Sequence, residues 1–340
     1  MYRIKEEQLS QLYAAVAGEM DVFAPVKKAG QTDFALWQQD SQVDFAATKT
    51  NKSPKDLFFP QSQVLYTTGL NEGKLTITPA QLEQRPFAVF GIRPCDVKAL
   101  EVLDRVFLSD PVDTFYAARR NNGVLVAMAC SRPDTSCFCG TFGIDCAQPK
   151  ADVATWLTGG YLYWQPQSEK GEAFTAKVAA LLEQTDDAAV EAEKAAINAI
   201  RERLPLKDLT TEGWGAEAAE TRFENPIWEQ MAATCLACGT CTFVCPTCQC
   251  YDIKDYKTGT GVQRYRCWDS CMYSDFTMMA HGNNRNSQAQ RFRQRFLHKL
   301  AYFPANNDGE FSCVGCGRCV EKCPNNLHIV KVMKTFGKEE

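Results

Sequence analysis

The stretch CLACGTCTFVCP at Cys235–Pro246 returns as CVGCGRCVEKCP at Cys313–Pro324. Both read C-x2-C-x2-C-x3-C-P, the spacing of bacterial iron–sulfur runs. Three closely spaced thiolates wrap three corners of a cubane, and the fourth cysteine, followed by proline, points away to ligate another. The pattern predicts two [4Fe–4S] sites with exchanged fourth ligands: Cys235, Cys238, Cys241 and Cys323 for one, Cys313, Cys316, Cys319 and Cys245 for the other. Gly239 and Gly317 let backbone N–H groups approach the sulfides, and those hydrogen bonds tune potential. Structural zinc is the rival chemistry. It needs only four ligands, usually two C-x2-C knuckles, and a duplicated triple-plus-one pattern is unlike that.

Working outward, the sequence between the runs includes AQRFRQRFLHKLAYF and reads as helical rather than as short strands. A compact βαββαβ ferredoxin would keep its motifs closer. By analogy with known folds, residues 226–340 are expected to form an α-helical ferredoxin-type dicluster domain. Upstream, PFAVFGIRPCD reads as a buried strand running into a turn, with Asp96 as N-cap of the helical segment VKALEVLDRVF. GVLVAMAC is a second strand ending in a cysteine-rich turn. Strand, turn, helix and strand in that order predict an α/β N-terminal domain, assigned to residues 1–210, with the boundary in 205–225 at Pro205, Gly213 and Gly215. Residues 1–20 read as helical, with Ile4, Leu9, Leu12, Tyr13 and Val16 near one face. VDFAAT, QVLYTT and KLTITP read as short extended pieces, and residues 172–204 as one or two amphipathic helices.

Nine of the 17 cysteines remain. Cys95, Cys130, Cys137 and Cys139 lie near strand ends, and loops after strands of an α/β unit converge at one sheet edge, so these four are candidates for a third [4Fe–4S] cluster. The bland alternative is buried free thiols acting as small hydrophobes. Cys146 is near enough to replace one of the four. Cys248, Cys250, Cys267 and Cys271 permit a further cluster, a zinc site, or packing around the first run, and their role stays open.

Composition narrows the class. Hydrophobic residues make up 45% and charged residues 23%, ordinary globular values. An odd cysteine count fits a disulfide framework poorly, and MYRIKEEQLSQLYAAV lacks a signal peptide's basic and apolar regions, so a cytoplasmic location is expected. No apolar stretch is long enough for a membrane span. The net charge of −4 is uneven: residues 226–340 hold 14 Lys and Arg against 10 Asp and Glu, the rest 23 against 31. Four cysteine thiolates per cluster would offset that basic surplus. Arg285, Arg291, Arg293, Arg295 and Lys299 form an acid-free run, read either as a solvated helix face or as charge compensation for clusters and a dock for an acidic partner. An acidic chain without helix-turn-helix or zinc-finger patterns argues against nucleic acid. There is no G-x-G-x-x-G after a strand, no Walker sequence and no HExxH, and His281, His298 and His328 are scattered, so no catalytic residue is assigned.

GIRPCDVKAL, CSRPDTSCFCGTFG, CTFVCPTCQCYDI, WDSCMYSDFTMMAHGNNR, RFRQRFLHK and CVGCGRCVEKCP together resemble the ferredoxin-type subunit of cytoplasmic redox complexes. The resemblance is to the ferredoxin-type iron–sulfur subunit of anaerobic sulfite reductase and the beta subunit of NAD(P)-dependent sulfhydrogenases, over roughly residues 86–330. It implies an electron relay within a hetero-oligomer, between a flavoprotein that handles NAD(P)H and a catalytic redox subunit. Similar subunits occur in electron-bifurcating transhydrogenases. No flavin is expected in this chain; a bound flavin would mark the alternative, a self-contained reductase with its own substrate site. Cys146 and Cys267 are additional to the family pattern.

Overall fold

FAVFGI and GVLVAM are apolar at every position, which suits strands covered on both faces. They lie side by side as Phe87–Ile92 and Gly123–Met128, buried throughout, in the centre of a mixed eight-stranded sheet. The computed structural model describes residues 1–71, 73–83 and 85–337. Asp21–Lys28, Phe87–Ile92, Gly123–Met128 and Val153–Thr158 run parallel. Tyr161–Pro166, Tyr2–Lys5 and Glu183–Gln184 extend one edge antiparallel, and Gln31–Leu36 closes the other.

Alternation along the central strands builds two cores. Phe87, Val89, Leu125 and Ala127 face the helix Pro94–Phe107 through Val97, Leu100, Leu103 and Phe107. Ala88, Phe90, Val124 and Val126 face Leu12, Tyr13 and Val16 of Leu9–Ala17 and Phe174 and Val178 of Glu169–Val178. Each such large apolar side chain contributes about 1.5–3 kcal/mol when fully buried. At Gly91 (φ 73°) the pairing register shifts between Phe90 and Ile92. A Cβ there would meet the Phe45 ring at 2.7 Å, so glycine is required. The bulge re-aims the strand into the Arg93–Asp96 turn.

Two expectations for this half need correction. Residues 1–20 are not helical throughout: Tyr2–Lys5 is a sheet strand, and the helix proper is Leu9–Ala17. Asp96 is not the N-cap, because the helix begins at Pro94 after an extended Arg93. A proline at the first helical position needs no N–H partner, so the start shifts to it, leaving Asp96 inside the first turn, 2% exposed.

The C-terminal part packs Trp228, Phe292, Phe296, Ile329, Val330, Met333 and Phe336 into its own core. Ser287 and Gln290 form a capping box that starts the helix Gln288–Leu297, which passes through a π-helical turn at His298–Tyr302. An all-helical reading of this part does not hold. Tyr251–Lys257 and Gly261–Trp268 form a hairpin that pairs with Ser62–Asn71 and Lys74–Pro79 into a four-stranded antiparallel sheet. Period-two alternation is confined to YDIK at 251–254 and RYRC at 264–267, so the strong helical signal of residues 289–303 dominates the interval. The sheet links the two parts of the chain by backbone hydrogen bonds.

Candidate iron–sulfur centre

Both cysteine runs fold into the same turn. Ala237 (φ 52°) and Gly239 (φ 73°) in the first correspond to Gly315 (φ 60°) and Gly317 (φ 78°) in the second. These left-handed residues reverse the chain so that three cysteines face inward, and Gly239 and Gly317 each precede a one-turn helix, Thr240–Phe243 and Arg318–Lys322.

Cys235, Cys238 and Cys241 line one cavity together with Cys323 from the second run, beside Met272, Phe292, Arg295, Phe296 and Leu327. Cys245, the last cysteine of the first run, lies instead in the electrostatic neighbourhood of Cys313 and Cys316, which both also sense Cys319. Cys241 and Cys319 are themselves neighbours, so the two sets abut. Among the described residues, no three His, Cys, Asp or Glu side chains close on a single-ion position. Thiols spread around an apolar-walled cavity suit a cubane, which takes one thiolate per iron. The residues present fit that group.

Hydrogen bonds to sulfur are already in place. Leu327 N–H donates to Cys323 Sγ at 3.1 Å and Gln288 Nε2–H to Cys235 Sγ at 3.4 Å. Burial pushes the thiols of Cys241 up to about 11, and those of Cys130 and Cys316 up to about 12. Cys245 is held well below the ordinary thiol range, chiefly by a hydrogen bond from Cys248. A cluster held by these thiols would displace protons from most of them.

The N-terminal cysteines gather under the second run. Cys139 and Cys146 are hydrogen-bonded, and Cys95 and Cys130 flank Cys139. The Cys130 N–H donates to Cys146 O at 2.9 Å. Cys137 neighbours Cys130 but also faces Lys49, which contacts Ser136 and Glu321. Cys146 is thus as well placed as Cys137 to complete a foursome. Cys95 adjoins Cys316, so this group abuts the second run. Arg93 fixes the surrounding loops by donating to the carbonyls of Ala129, Phe45 and Ala47 at 2.7, 2.7 and 2.9 Å.

Of the remaining cysteines, Cys250 is hydrogen-bonded to Cys271 and drawn down to about 7. Cys248 joins Cys245, whereas Cys267 stands apart beside Lys254. His328 caps Ile329–Phe336 and His281 is exposed. The basic run is divided: Arg285, Arg291 and Arg293 are partly exposed, whereas Arg295 and Lys299 are 2% and 4% exposed. Helical spacing of four turns both inward while Phe292, Phe296 and Leu300 bury the same side. Sequence reading missed a bidentate ion pair between Arg318 and Asp96 at 2.6 and 2.8 Å, both buried, which ties the second turn to the helix that starts at Pro94. Its two charges are 222 residues apart, and no local pattern signals it.

The 4Fe–4S dicluster domain family matches residues 234–327. This, with the paired turns, defines the class: an iron–sulfur electron-transfer subunit of an oxidoreductase. The chain is 31% identical over 315 residues to sulfhydrogenase 2 subunit beta of Pyrococcus furiosus, covering 92% of this chain and 91% of that protein. It belongs to the sulfhydrogenase beta subunit family. No solved structure matches it. Among the described residues no helix is long and apolar enough to cross a membrane.

Proposed function

We propose that the chain relays electrons between an NAD(P)H-oxidising flavoprotein and a catalytic redox subunit through two [4Fe–4S] clusters and a third. The first is held by Cys235, Cys238, Cys241 and Cys323, the second by Cys313, Cys316, Cys319 and Cys245. The third draws on Cys95, Cys130 and Cys139, with Cys137 or Cys146 as its fourth ligand. One observation carries the reading: Cys323 shares a cavity with the first run's three cysteines. When bound, such clusters take up and release single electrons. The chain's part is to hold and insulate them. Phe292, Phe296 and Met272 keep water from the first site, while the Leu327 N–H and the Gln288 amide stabilise thiolate charge. The adjacencies of Cys241 with Cys319 and of Cys316 with Cys95 support a linear order of sites. The exposed turn at Leu236 and Cys238 offers one end of that line to a partner.

Anaerobically purified chain should contain about twelve Fe and as much acid-labile sulfide, and Cys323→Ser should perturb the cluster of the first run. A change confined to the second run's cluster would refute the exchanged ligation, and zinc without sulfide would refute clusters altogether. Replacing Cys137 together with Cys139 should remove about four Fe; a fully loaded wild type with about eight Fe, unchanged by that double replacement, would leave these thiols structural. Replacing Cys137 or Cys146 singly, with Cys139 kept, tests which is the fourth ligand: only loss of the true ligand should lower the iron.

A further inference from the structure

Three cations are buried among the cysteines. Lys55, Arg295 and Lys299 are 3%, 2% and 4% exposed. Among the described residues, none of the three forms an ion pair with a carboxylate. Asp56 adjoins Lys55 in sequence, but its carboxylate pairs with Lys52 at 3.5 Å. The hydrogen bonds they make are to neutral groups. Lys55 Nζ donates to Cys245 O and Cys248 O at 3.1 and 2.9 Å and lies 3.6 Å over the Trp268 ring. Lys299 Nζ donates to Thr247 Oγ1 and Ser312 O at 2.7 and 3.1 Å. Arg295 Nη2 reaches Cys241 O at 3.4 Å, while its Nε and Nη1 are buried without a partner at the wall of the first cysteine cavity.

An unpaired buried charge costs several kcal/mol, and here like charges also face one another, Lys299 against both Arg295 and Lys55. The anions that Arg295 and Lys299 sense are sulfur, and Lys55 senses sulfur first and the Asp56 carboxylate after it. Arg295 senses Cys241 and Cys319, Lys299 senses Cys245, Cys248 and Cys313, and Lys55 senses Cys248 and Cys245. Arg295 therefore lies between the two cysteine sets, and Lys299 and Lys55 lie against the second. A cubane with its four thiolates is a net anion, and each electron it accepts adds one negative charge.

Resting on the two-cluster reading above, we infer that Arg295 and Lys299, with Lys55 beside Lys299, form a buried cationic partition that favours the reduced state of both clusters and so raises their reduction potentials. Arg295 acts chiefly on the first cluster, and Lys299 and Lys55 on the second. The three are positioning residues: they set how readily an electron is accepted.

The test uses the full chain, purified without oxygen and titrated with dithionite in mediators under EPR. Iron and sulfide are measured first; a wild type lacking both overturns the cluster reading and this inference with it. In loaded Arg295→Gln or Lys299→Gln, the ratio of reduced to oxidised cluster at the wild-type midpoint should fall about tenfold, equivalent to about 59 mV for a one-electron couple. The charge-keeping Arg295→Lys and Lys299→Arg should stay close to wild type, as should Lys334→Gln on the exposed surface. Glutamine variants that load fully with unmoved midpoints overturn the partition while leaving the clusters intact. If the glutamine variants lose iron, the charge-keeping pair decides: iron retained supports the partition, and iron lost in both shows a packing role and overturns it.

Discussion

The turns at Cys235–Cys241 and Cys313–Cys319 share a backbone but not an environment. Leu236 is 65% exposed, and its counterpart Val314 is 2% exposed against Ala99 and Ile144. Thr240 lies near the surface where Arg318 is sealed in an ion pair with Asp96. The second turn is clamped from above as well: the Phe138 N–H donates to Gly315 O at 2.9 Å, and Lys49 bridges Ser136 and Glu321. One local sequence thus yields an accessible site and an encased one. Solvent exposure is among the levers on cluster potential, so clusters held at the two turns are expected to differ in potential even with all-cysteine ligands at both.

The encased turn should be the more fragile to substitution. Asp96→Asn leaves Arg318 buried without a counter-charge, a loss of about 3–5 kcal/mol, to be read as a lower denaturant midpoint of the anaerobic protein. The exposed pair of Arg264 and Asp255 is the control, and neutralising it should leave the midpoint nearly unchanged. Equal effects at the two pairs would show that the buried Asp96–Arg318 bridge anchors the second turn no better than a surface pair does.

Gly317→Ala and Gly239→Ala sharpen the same contrast. A left-handed φ costs alanine about 1–2 kcal/mol at either position. At Gly317 the new methyl also meets the Ser136 backbone, held by the clamp. At Gly239 it meets the Tyr273 hydroxyl, the end of a partly exposed side chain that can swing away. Iron bound to the second run should therefore be lost faster to a chelator in Gly317→Ala than iron bound to the first run in Gly239→Ala. Equal loss rates would show that the Ser136 contact yields as easily as Tyr273 does.

The smallest effect is a gain. Ala237 carries φ 52° where the second turn has Gly315. Ala237→Gly should stabilise by about 1 kcal/mol or less, since relief of strain is partly offset by a freer unfolded chain. A loss of stability would show that the Ala237 methyl packs usefully at the surface.

The spacing of eight cysteines, the two buried strands and the Pro94–Phe107 helix were all legible from sequence, because each rests on a local period or interval that the backbone must obey. The exchanged position of Cys323 followed from the same interval logic. Other features depended on residues far apart in the chain. The pairing of Gly261–Trp268 with Ser62–Asn71, the Asp96–Arg318 bridge and the convergence of Lys55 with Arg295 and Lys299 join segments about 190 to 245 residues apart. Their signals are single residues, a Lys or an Asp, that read as ordinary surface charges until the fold buries them. The basic run shows the division most clearly: its composition was visible at once, but whether those charges faced water or sulfur depended on which side of the helix Phe292 and Phe296 turned toward the core.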